Sequence, residues 1–171
     1  AARSPRRNDS NAAGSVTSSV ANLTVNGSGG GGPSGPIFDV HFDTTADGFT
    51  YVDDTFRGTS KPNYASGNYI ASAAYTGGGL RVLIGGINSQ NIQGMSGGWQ
   101  RSFTLAAPTT LTISFRYRLT EQNTYETDEY SQALFSLDST LIGIPPNDYL
   151  AQVVGGGALS TGWQLAQFNL G

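Results

Sequence analysis

The stretch TLTISFRYRLT, residues 110–120, constrains the fold more than any other part of the chain. Leu111, Ile113, Phe115, Tyr117 and Leu119 alternate strictly with Thr112, Ser114, Arg116 and Arg118. A period of two puts the apolar side chains on one face of a β-strand and the polar ones on the other. A slip of one residue would turn the whole apolar set to water, so the pattern specifies register as well as strand. A strand of this kind needs a second layer to cover its apolar face.

The neighbouring segments read as that second layer and the rest of a sheet. PIFDVHFD places Phe38, Val40 and Phe42 in one phase, and FTYVDDTF follows. Residues 68–75 and 80–84 read as a strand pair joined by the glycines at 77–79. GWQRSFTLA puts Trp99, Arg101, Phe103 and Leu105 on one face, where Arg101 fits only at a rim or after a register shift. YSQALFSLDS, LAQVVGG and GWQLAQFNLG complete the set. In the last of these, Trp163 and Leu165 are out of phase with Phe168 and Leu170, which predicts a bulge or twist. Gly, Pro, Asn and Asp punctuate the runs, and no amphipathic helix of useful length occurs. The expectation is an all-β, jelly-roll-like antiparallel β-sandwich over residues 36–171.

Ahead of that domain lies an arm, residues 1–35. Residues 1–15 have no apolar period. In VTSSVANLTV, residues 16–25, Ala21, Leu23 and Val25 fall on one side and Asn22 and Thr24 on the other, the pattern of a half-buried strand. Residues 26–35 are a Gly/Ser/Pro tether. A strand is thus held on a leash outside the domain. Burying Leu23 and Val25 is worth about 1.5–3 kcal/mol each, so the segment has a reason to find a sheet.

Composition excludes several kinds of chemistry. The chain has no cysteine, so disulfides, thiolate catalysis and Cys-based zinc sites are out. From residue 36 onward there are 6 basic and 11 acidic residues, the reverse of a nucleic-acid footprint. The remaining basic residues, Arg3, Arg6 and Arg7, open the arm. No apolar run is long enough to span a membrane as a helix. The only histidine, His41, lies opposite the Val40 and Phe42 phase and reads as a surface or rim residue. A Ser-His-Asp triad would rest on it alone, with no nucleophile elbow to match. Glu126 and Asp128 share a face if YETDEY is extended, and a glycosidase needs two carboxyls flanking its bond. A jelly-roll glucanase pattern of Glu-x-Asp-x-x-Glu fails here at Ser131. The reading is therefore a protein that is not an enzyme.

Binding chemistry is better represented. Hard oxygen ligands for calcium are available from Asp43 and Asp47 with Asp39, from Asp53 and Asp54, or from Glu126 and Asp128 with Glu129, although solvated loop acids explain each single cluster more simply. No other metal or cofactor is implied. Tyr64, Tyr69, Tyr75, Tyr125 and Tyr149 could offer stacking faces to glycans. Trp99 and Trp163 both open strands in Gly-Trp-Gln and read as core packing. Three N-glycosylation triplets, at Asn8, Asn22 and Asn26, all fall in the arm. Asn22 lies on the polar side of its strand, where a glycan leaves Leu23 and Val25 free to pack.

The stretches GGGLRVLIGG, GMSGGWQRSFTL, ISFRYRLTEQNTYETDEYSQALFSLDS and GWQLAQFNLG resemble a jelly-roll domain of secreted and surface proteins, concanavalin-like and carbohydrate-binding modules among them. The resemblance covers roughly residues 37–171. It implies a two-sheet sandwich, an extracellular setting and, as often in such modules, one structural calcium. Such domains usually continue past the equivalent of FNLG with further strands that close the sandwich. An unclosed sheet has an open edge and an apolar groove, and an open edge invites pairing. The leashed strand and the open edge together point to a structural subunit of an extracellular filament or surface layer, a homopolymer built by strand donation. The alternative is a carbohydrate-binding module of a larger secreted protein.

Overall fold

The computed structural model describes residues 13–17, 23–28, 36–53, 64–72, 74–85, 95–105, 108–122, 125, 127–156 and 160–171. For 13–17 and 23–28 the description is of the backbone. The described residues contain no helix, and every strand pairing is antiparallel. The all-β expectation holds.

The alternating segment is the axis of the main sheet. It forms the strand Thr110–Thr120, here β8. All five of its apolar residues are buried, Leu119 completely, while Arg116 and Arg118 on the other face stay partly exposed. Along one edge β8 pairs with β13 (Gln164–Leu170), Phe168 opposite Ile113. Its other edge is taken by the arm. Strand β1 (Ala13–Thr17) pairs with Arg118–Thr120, and β2 (Leu23–Ser28) pairs with Thr110–Ser114. The arm's own far side is paired as well: β2 with β3 (Pro36–Val40) and β1 with β6 (Gly79–Gly85), which pairs in turn with β5 (Ala65–Ile70).

The arm segment therefore lies inside the sheet, with partners on both sides. Of the strand expected over 16–25, residues 16–17 lie in β1 and 23–25 in β2, while 18–22 lie outside the described residues; of the tether expected over 26–35, Asn26, Gly27 and Ser28 belong to β2. The cause is the partner: β8 offers unpaired backbone groups as far as Thr110, and pairing satisfies the polar main chain even of Gly27.

Short ribbons cover the apolar face of β8. One pairs β9 (Tyr130–Ala133) with β12 (Ala151–Val154), and a second pairs β10 (Ser136–Leu137) with β11 (Thr140–Leu141). Phe115 meets Phe135 at 5.2 Å between ring centroids, and the Tyr117 hydroxyl donates to the Leu150 carbonyl at 3.1 Å. Burial there raises the Tyr117 pKa, so the phenol remains a donor throughout the ordinary pH range. The third ribbon, β4 (Thr50–Asp53) with β7 (Gly97–Gln100), packs on β5 and β6. Gly67 is bare where the Tyr51 ring occupies the space a Cβ would need. Between these layers lies a cavity of about 280 Å³, with Phe38, Trp99, Phe103, Phe115 and Phe135 in its wall.

Three local readings are settled by these contacts. Strand β5 ends at Ile70, so residues 71, 72, 74 and 75 are not strand. Arg101 sits beyond the end of β7, at a rim, where its guanidinium stacks on Phe38 at 4.5 Å and donates to the Asp47 carbonyl at 2.9 Å. Strand β13 pairs with β8 in unbroken register, without the bulge expected there. Trp163 and Leu165 are out of phase with Phe168 and Leu170 because the two pairs face opposite sides of the sheet.

Candidate functional site

The site with most bearing on assembly is the edge of β8 that receives the arm. Leu23 stands opposite Val40; Val25 stands between Phe38 and Ile113. Both positions are in the register of the buried face, as Val40 and Ile113 are 7% and 3% exposed. Thr24, between Asp39 and Ser114, and Asn26, between Pro36 and Thr112, take the other register. Ala21, Asn8 and Asn22 lie outside the described residues. Strand β3 has no strand partner other than β2 among the described residues.

The acids named as calcium ligands have separate local roles where they are described. Asp47 accepts from the Phe42 amide at 2.7 Å and from the Thr45 hydroxyl at 3.0 Å, tying down a bend in which Phe42 and Asp47 both have positive φ. Asp53 accepts from the Tyr51 hydroxyl at 3.3 Å. Asp43 lies beside Gly77, and Asp128 is in an exposed turn. Asp54 and Glu126 lie outside the described residues. Among the described residues no three His, Cys, Asp or Glu side chains come together to hold a metal. His41 is half exposed and pairs with Asp39 at 3.5 Å.

Two features escaped sequence reasoning. The first is Glu121, which is only 2% exposed. It continues the odd-numbered series of β8 beyond Leu119, so the alternation that fixes the core also places this carboxyl on the apolar side. Burial raises its pKa, Ser131 lowers it in part through its hydroxyl and amide at looser than full hydrogen-bond geometry, and Glu129 raises it further. Neither oxygen has a formed hydrogen bond. A carboxyl whose pKa is higher folded than unfolded favours the folded state at low pH and loses that contribution as pH rises through the folded value. Glu121→Gln is accordingly expected to raise Tm at neutral pH, with the gain shrinking as pH falls toward the ordinary carboxylate range. A Tm difference that is flat across a series of thermal melts from acid to neutral pH would contradict it.

The second is on the outer face of β8. Arg116 stacks on Tyr75 at 4.1 Å, Arg118 stacks on Trp163 at 4.9 Å, and the two rings meet edge to face at 5.9 Å. Trp163 is thus not a core residue; it precedes β13 on the solvent side, opposite the phase of buried Ala166 and partly buried Phe168. Trp99, in contrast, packs against the core and donates from its indole nitrogen to the Arg81 carbonyl at 3.1 Å. The sequence signal for the outer cluster was the RYR at 116–118, two arginines two apart on one face of a strand.

No family model, no curated protein and no solved structure matches this chain.

Proposed function

We propose that the protein is a structural subunit of an extracellular filament or surface layer, and that copies join by donating the N-terminal strand to a neighbour. One observation carries this reading. A segment separated from the rest of the chain by a Gly/Ser/Pro linker occupies the middle of the sheet, between β8 and the pair β3 and β6. The same seat accepts the same strand from a second copy with every backbone pairing kept, because exchange replaces an element by its identical counterpart. Linker residues 29–35 would be the hinge; seven residues reach about 23–25 Å when extended. Head-to-tail exchange leaves one empty seat and one unplaced strand at the ends, so it propagates into a polymer. The jelly-roll resemblance and the arm's glycosylation triplets agree with an extracellular setting and are part of the proposal.

The chain's lack of cysteine makes the test clean. Thr24 and Ser114 are antiparallel partners in β2 and β8, and such partners have Cα atoms about 4.5–5.5 Å apart, within disulfide range. Thr24→Cys and Ser114→Cys chains are prepared separately, unfolded together, refolded and oxidised. Strand donation gives an intermolecular disulfide between the two chain types. A doubly substituted chain that closes only on itself, with no cross-link in the mixture, would sink the proposal.

A further inference from the structure

The outer face of the main sheet carries arginines that no carboxylate neutralises among the described residues. Arg116 and Arg118 lie on it two residues apart in β8. Arg81 in β6 belongs to the same face, since it alternates with the buried Leu80 and Val82. It also falls in the same row as Arg118: β1 lies between them, with Val16 opposite Val82 and Thr17 opposite Arg118. Side chains two apart on a strand are separated by about 6.5–7 Å, and strands two apart in a sheet by about 10 Å, so the three arginines spring from one area of the outer face.

These arginines have no carboxylate within ion-pair distance among the described residues, where the one ion pair is that of His41 with Asp39. The Nε atoms of Arg81 and Arg118 are buried and make no hydrogen bond. That is unexpected in a chain with 12 acidic and 9 basic residues, where neutralising partners are in excess. Around the patch stand Tyr75, Trp163 and Leu165, with Tyr75 46% and Leu165 55% exposed. Gln167 and Asn169 share their register on β13. Guanidinium forks match carboxylates in two-point hydrogen bonds, and exposed rings beside them match the apolar faces of a pyranose.

We propose that this face binds a short acidic saccharide, a uronic-acid oligosaccharide, with Arg116 and Arg118 on its carboxylates, Arg81 on a neighbouring acidic group and Tyr75 and Trp163 against its ring faces. The net negative charge of the rest of the chain disfavours long uniformly charged polymers, nucleic acids among them, and selects a short segment. The site does not depend on the assembly mode, because the arm contributes only backbone register to the argument.

The experiment is a calorimetric titration of the full chain with an oligogalacturonate, its neutral methyl ester, inorganic sulfate and a short single-stranded DNA. The expected result is binding of the oligogalacturonate that weakens with salt, a loss of about tenfold or more on Arg116→Gln or Arg118→Gln, and partial retention on the matching Lys variants. Trp163→Phe leaves Trp99 as the sole indole, so retained Trp99 fluorescence and circular dichroism separate a lost site from a lost fold. Equal binding of the methyl ester, equal binding of sulfate or DNA, or no binding at all overturns the proposal. So does an Arg116→Gln chain that keeps saccharide affinity but stops assembling, which would assign the face to contacts between copies.

Discussion

A chain lacking residues 1–28 is expected to lose most of its folded stability, and to regain it when a synthetic peptide of residues 12–29 is added. The arm supplies β1 and β2, 5 and 6 residues long, and both pair on two sides. Removing them bares the edge of β8 that receives the arm, the edge of β6 that pairs with β1, and the paired edge of β3. Each backbone hydrogen bond contributes about 0.5–1.5 kcal/mol net, so a lost set of this size is of the same order as the 5–15 kcal/mol that holds a typical domain together. Val40 and Phe42, both buried, lose the strand that anchors their segment. Thermal melts and near-ultraviolet dichroism of the truncated chain, with and without peptide, give the answer. A truncated chain that melts within a few degrees of the full one, and ignores the peptide, would show that the arm is an accessory rather than a part of the sheet. The same chain reports on assembly. If polymers still form without the arm, strand donation is not what joins the copies.

The alternation in β8 shows how far local pattern reaches. Strict periodicity over 111–119 identified the strand, its register and its buried face, because every one of those positions obeys a single rule. The rule extends to Glu121, but a carboxyl at that position carries no apolar signal, so alternation alone does not mark it as buried. In β13 the pattern was present and misread. Two faces of one regular strand both carry large apolar residues, Leu165 outward and Phe168 inward, and alternation cannot distinguish that from a bulge. The arm shows a different kind of limit. Residues 23–25 lie in β2, but the choice of edge is a non-local property. Whether a strand joins at the rim or between two others depends on which backbone groups remain unpaired elsewhere. The same holds for Tyr75. Nothing in residues 71–78 says that their bend returns to the outer face of a strand forty residues later, which is what places Tyr75 under Arg116.

Phe115→Ala is expected to destabilise the protein by about 3–5 kcal/mol, toward the upper end of that range. Phe115 is 8% exposed and is the hub of the ring cluster, 5.2 Å from Phe135, 6.3 Å from Tyr117 and 6.5 Å from Phe168. It joins three elements that are not neighbours in sequence: its own strand, β13 and the ribbon cover. Its position decides the magnitude. Phe115 stands in the wall of the cavity of about 280 Å³ between the layers, so truncation enlarges a space that already exists. The cost of a large-to-small change grows with the volume left unfilled. Arg116→Ala one position away is the control. It removes a side chain of similar length from the outer face, where the loss is that of one exposed cation–π contact, about 0.5–1 kcal/mol. Urea unfolding of the two variants should therefore differ several-fold in ΔΔG with unchanged m-values. Equal losses would mean that the two faces of β8 are equally buried, and a larger loss for Arg116→Ala would mean that the sheet is covered on the side taken here as solvent.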